Sequence, residues 1–136
     1  MIPSFTLLAP LAAGCVLAGS ATAQPVRSWH LLARDRAVSP PGPPGLTAVT
    51  AEVSVPAAPG RNALQIRVVG RPASLRPYVS WHVACPSGRG SLQGDGFHRA
   101  TFTKTIPSAS GCAADVTATL YFWAGASGVS VWIYGS

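Results

Sequence analysis

Acidic side chains are scarce. The 136 residues hold four, Asp35, Glu52, Asp95 and Asp115, against ten Lys and Arg, for a formal net charge of +6. Charged residues make up 10% of the chain, far below the roughly 25% of an average globular domain. Such a sequence cannot supply the Glu, Lys and Ala faces of a helical bundle, and its 14 glycines and 13 prolines would break long helices. Lysine is almost missing: Lys104 stands alone beside nine Arg. Catalytic groups are equally thin. Three His accompany the four acids, and no G-x-S-x-G, H-E-x-x-H or P-loop pattern occurs. The chain therefore reads as non-enzymatic, with no cofactor and no metal site. No apolar run is long enough to cross a bilayer comfortably. A disordered polar chain is excluded in turn, because 48% of the residues are apolar.

What is present begins with a targeting segment. Residues 1–23 carry no charge, run apolar from Phe5 to Ala18, and end in Ala21-Thr22-Ala23. An apolar stretch of this length followed by A-x-A has the form of a secretory signal peptide. No Lys or Arg precedes it, so either the α-amino group alone supplies the positive charge or the segment starts further upstream. Leu11-Ala12-Ala13-Gly14-Cys15 also resembles a lipoprotein processing site, which would anchor Cys15 to a lipid; Ala12 stands where that site usually has Leu. Export of a cationic chain, secreted or held at the envelope, is the expectation. The preference for Arg over Lys, a mark of GC-rich coding, points to a bacterial source.

Past residue 23 two cysteines remain, Cys85 and Cys112. An even count in an exported chain predicts one disulfide rather than a metal site. Residues 24–45 read as an N-terminal arm and a proline-rich spacer, Ser39-Pro40-Pro41-Gly42-Pro43-Pro44-Gly45, which favours extended polyproline II. A β-domain is expected over residues 46–136.

In that domain the side chains alternate with period two, the spacing of strands with one buried face. Strands are expected at Thr47–Val55, Asn62–Val69, Tyr78–Cys85, Phe97–Ile106, Cys112–Trp123 and Val129–Tyr134, with a seventh around Trp29–Ala33. Pro86–Gly96 reads as a long polar loop and Ala124–Gly128 as a hairpin loop. Six or seven strands at this spacing predict an all-β, antiparallel two-sheet sandwich. Both cysteines fall on the apolar phase, which predicts a disulfide crossing between the sheets, with Trp81 in the same phase. This resembles the immunoglobulin-like architecture, in which a Trp packs on an inter-sheet disulfide. Here the Trp precedes the first Cys instead of following it, so no function carries over from the resemblance.

The candidate sites follow from the opposite phase. Tyr121, Trp123, Trp132 and Tyr134 point away from Leu120, Phe122, Val131 and Ile133, and a hairpin would gather them into one aromatic platform. Such platforms stack on sugar rings or take protein contacts, unless the chain's own residues cover them. Arg61, Arg71, Arg76 and Arg89 fall in loops, where an anionic glycan or envelope polymer would meet them. The basic residues form no dense run, so nucleic acid is not an expected partner. Asp95, His82 and His98 would meet only if their strands pair. The expectation is a binding module for carbohydrate or a partner protein. A structural or self-assembling envelope subunit is the second reading, and a small secreted hydrolase the third.

Overall fold

The computed structural model describes residues 28–86 and 90–136; the expected targeting segment with Cys15, and Arg27 and Arg89, lie outside them. The described residues form eight strands and no helix: β1 His30–Ser39, β2 Thr47–Val55, β3 Leu64–Arg71, β4 Tyr78–Ala84, β5 Ser91–Phe97, β6 Thr101–Ile106, β7 Ala113–Phe122 and β8 Ser127–Gly135. The pairing is nested. β1 pairs with β8, β2 with β7, β3 with β6 and β4 with β5, all antiparallel. Two further ladders, β3 with β8 and β4 with β7, complete the sheets β1-β8-β3-β6 and β2-β7-β4-β5. Eight strands nested and rolled into two sheets make a jelly roll.

The two-sheet sandwich is the one alternation predicts, and its strand order is not that of immunoglobulin domains. Between the sheets lies one apolar core. Ile66, Val68, Val131 and Ile133 come from the first sheet, and Val79, Val116 and Leu120 from the second, all without solvent contact. Most are β-branched, which suits a pleated surface packed on one side. Truncating one such side chain to Ala costs about 2–5 kcal/mol for Leu or Ile.

Four expectations need correction. First, Cys85 and Cys112 are bonded, but within one sheet: they follow β4 and precede β7, where Ala84 lies opposite Ala113. Alternation places a side chain on a face without saying which strand is its neighbour. The bond still closes a loop with a sequence separation of 27, a constraint of about 3–4 kcal/mol in the chain-entropy account.

Second, Ser91–Phe97 is a strand, so the supposed loop is shorter and the strand count is eight. Its apolar phase holds one side chain, Leu92, because Gly94 and Gly96 take the other inner positions. A Cβ on Gly94 would come within 2.8 Å of the Trp81 Nε1. The indole thus lies across the glycine, half-buried against the core, instead of its place being set by the disulfide.

Third, the sandwich begins before residue 46. β1 is ten residues long and forms an edge of the first sheet. A register shift between Leu31 and Ala33, and the sequence Arg34-Asp35-Arg36, hide its alternation. The proline-rich stretch connects β1 to β2 across the sandwich. Fourth, β7 and β8 belong to different sheets, so the segment between them is an arch rather than a hairpin.

Candidate binding faces

The arch divides the predicted aromatic platform. Tyr121 projects from the outer side of the β2-β7-β4-β5 sheet and Trp123 follows the end of β7, whereas Trp132 and Tyr134 belong to the outer side of β1-β8-β3-β6. Tyr121 and Trp123 are 46% and 65% exposed; Trp132 and Tyr134 are half-buried. The two pairs cannot grip one ligand together.

On the β2-β7-β4-β5 sheet the outward residues line up in cross-strand rows. One row is Thr50, Thr119, Tyr78 and Phe97; the next is Glu52, Thr117, Ser80 and Asp95; the third is Ser54, Asp115, His82 and Gln93. The rings of Tyr78 and Phe97 meet edge to face at 5.1 Å, and Phe97 leans toward Tyr121 at 6.3 Å. Phe97, 59% exposed, is the centre of this trio. Around it the polar groups are already oriented. The Tyr78 hydroxyl donates to Asp95 Oδ2 at 3.0 Å, Ser54 Oγ donates to Asp115 Oδ1 at 2.6 Å, and the hydroxyls of Thr50 and Thr119 are 3.0 Å apart. That hydrogen bond from Tyr78 to Asp95, then partial desolvation and the charge of Asp95, raise the phenol above its ordinary 10.0. Tyr78 is therefore a protonated donor at neutral pH.

The other sheet presents a different chemistry. Its outward rows are Arg34, Trp132, Arg67 and Thr103, then Arg36, Ser130, Val69 and Thr101, then Val38, Gly128 and Arg71. The Arg67 guanidinium carbon lies 5.7 Å from the centre of the Trp132 ring. A cleft of about 1080 Å³ lies against these rows.

The remaining sequence candidates separate. Arg61 is a structural tie, its Nη1 donating to the carbonyls of Pro56 at 3.2 Å and Cys112 at 3.0 Å. Arg71 ends β3 and lines the cleft, so it belongs to a strand and not a loop. Arg76 is exposed in the connection to β4. His82 and Asp95 share the outer face of one sheet, but the His98 ring stacks on Phe102 at 4.1 Å, past the end of β5. Among the described residues no three His, Cys, Asp or Glu side chains converge as an ion site would require. Tyr78 and Phe97 join the site without being among the candidates that the sequence offers. Tyr78 was visible in the outward phase of Ser80 and His82; Phe97 was not, because it borders the glycine-rich stretch.

No protein-family model matches the chain, and neither does any curated protein sequence. Several solved structures resemble it in shape. The carbohydrate-binding module TmCBM61, solved with β-1,4-galactotriose, is 10% identical with a TM-score of 0.39, covering 67% of this chain and 65% of that one. A structure of deformed wing virus carrying the GFP gene is 8% identical with a TM-score of 0.44, covering 80% and 44%. The enzymatically active domain of bacteriophage CBA120 tailspike protein 4 is 13% identical with a TM-score of 0.32, covering 75% and 19%. The chain thus spans less than two thirds of each of them. Likenesses this distant carry no argument about function.

Proposed function

We propose that the protein is an exported, non-enzymatic module that binds a neutral carbohydrate on the outer face of the β2-β7-β4-β5 sheet. The observation that supports this is the trio of half-buried Tyr78 with exposed Phe97 and Tyr121, beside rows of hydroxyls and carboxylates that already hold one another in place. Ring faces pack on the C–H faces of a pyranose, and Asp95, Ser80 and the Thr hydroxyls reach its O–H groups. Those four strands contain no Lys or Arg, so nothing there selects for an anionic ligand. Export rests on the N-terminal segment and agrees with a disulfide, which persists in oxidising compartments. Binding to a panel of neutral cell-wall polysaccharides tests the reading. Phe97→Ala is expected to weaken binding about tenfold, as loss of roughly 1.4 kcal/mol of ring contact would. Equal binding by Phe97→Ala and Tyr121→Ala removes the proposal. Amino-terminal sequencing of the mature protein, recovered from outside the cytoplasm, tests the leader.

A second reading, a self-assembling subunit, is favoured by the opposite charge of the two outer faces. Light scattering checks it: a chain that stays monomeric at low salt counts against it.

A further inference from the structure

The outer face of the β1-β8-β3-β6 sheet has a trough running along its middle. β8 supplies the floor, and its outward residues there are small: Gly128 and Ser130. The neighbours on each side are larger. Arg36 and Val38 of β1 form one wall, and Val69 and Arg71 of β3 the other. Strand spacing places the walls about 10 Å apart. Trp132 closes one end, flanked in its own row by Arg34 and Arg67. The volume of about 1080 Å³ is at the upper end of small-ligand sites.

Charge in the trough is unbalanced. Arg34, Arg36 and Arg71 have no carboxylate partner among the described residues; Asp35, the one acid in these four strands, also borders the cleft, but it stands in the inner phase of β1 and its Oδ2 accepts the Glu52 backbone N–H at 2.9 Å. Ser127, only 7% exposed, lines the same cleft with its Oγ lacking a hydrogen-bond partner. All the cations of the trough are Arg, whose planar fork pairs two N–H groups with one carboxylate. A nucleic acid strand would need successive rings to stack on; the trough offers one, and it stands at an end.

We propose that this trough is a second binding site, for a short acidic oligosaccharide whose carboxylates pair with Arg36 and Arg71 while one sugar ring lies against Trp132. The site does not depend on the neutral-sugar face.

Calorimetric titration of the full chain with trigalacturonate tests it. The expected result is saturable one-to-one binding that disappears with the methyl-esterified trimer. Arg36→Gln with Arg71→Gln weakens it at least tenfold, and Phe97→Ala leaves it unchanged. Ser130→Tyr fills the floor while keeping every arginine, and abolishes binding with the thermal midpoint retained. Failure to saturate with trigalacturonate overturns the proposal. So does unchanged binding by Ser130→Tyr, or equal affinity for an oligothymidylate of the same charge, which would mean attraction to the basic surface alone. Loss of binding in Phe97→Ala overturns it as well, by placing the ligand on the opposite sheet.

Discussion

A phenol that donates to a carboxylate resists losing its proton, and Tyr78 is in that position with Asp95. Its ionisation in the folded protein lies above the unfolded value of 10.0. The pair therefore stabilises the fold fully below that pH, and the contribution is lost as pH rises through the higher folded value. Phenolate absorbance across alkaline pH is expected to show one of the three tyrosines titrating late, and titrating earlier in Asp95→Asn. No difference between the two proteins would mean that the hydrogen bond does not persist in solution. Gly94 makes a second case at the same scale. An added Cβ would sit 2.8–3.0 Å from three atoms of the Trp81 indole, so Gly94→Ala must displace the ring or bend β5. A loss of about 1–3 kcal/mol in urea unfolding is expected. Neither residue's partner could be read from sequence. Asp95 falls within Pro86–Gly96, a stretch that reads as loop, and the alternation that puts Trp81 in phase with Cys85 says nothing of Gly94 across from it.

Strands with a regular apolar phase were legible as elements. β2, β3, β4 and β7 alternate without a break, since Val, Ile or Leu recurs at every second inner position. β1 and β5 were hidden for opposite reasons. β5 has glycines where the inner side chains should be, and β1 interrupts its pattern with a register shift and with Asp35 in the inner phase. Both are edge strands, where packing demands least of the sequence and where an inward charge discourages pairing with another chain. Asp35 shows what such a charge does. Its carboxylate accepts the free N–H of Glu52 on β2, the adjacent edge of the other sheet, and ties the two layers along one side. Asp35→Ala is expected to cost about 1 kcal/mol and to leave an unpaired edge N–H. Denaturant titration measures the first effect, and faster aggregation on mild heating measures the second. A variant as stable and as soluble as the parent would mean that water replaces the carboxylate without loss.

At the scale of the whole molecule, what alternation cannot supply is partnership. Period two assigns each residue to a face but says nothing about which strand lies alongside, so it does not distinguish the arch between β7 and β8 from a hairpin, or an aromatic platform on one face from residues split over two. The nested pairing that resulted gives the sandwich two unlike outer surfaces. The strands of one sheet carry Arg34, Arg36, Arg67, Arg71 and Lys104, and those of the other carry Glu52, Asp95 and Asp115 with no Lys or Arg. The same nesting makes the outermost strand indispensable. β1 pairs along its length with β8, from His30 opposite Gly135 to Ser39 opposite Ser127, so a protein beginning at Leu46 would expose β8 as an edge rich in Val and Ile and remove one wall of the basic trough. Such an edge is a template for pairing with other chains, and strands this distant in sequence also fold slowly, which prolongs the exposure. The truncated protein is expected to aggregate, or to lose its single cooperative transition in calorimetry, whereas a chain beginning at residue 24 unfolds in one step. A soluble, cooperatively folding monomer from residue 46 onward would show instead that β1 is an appendage and that the six strands first visible in the sequence hold the core by themselves.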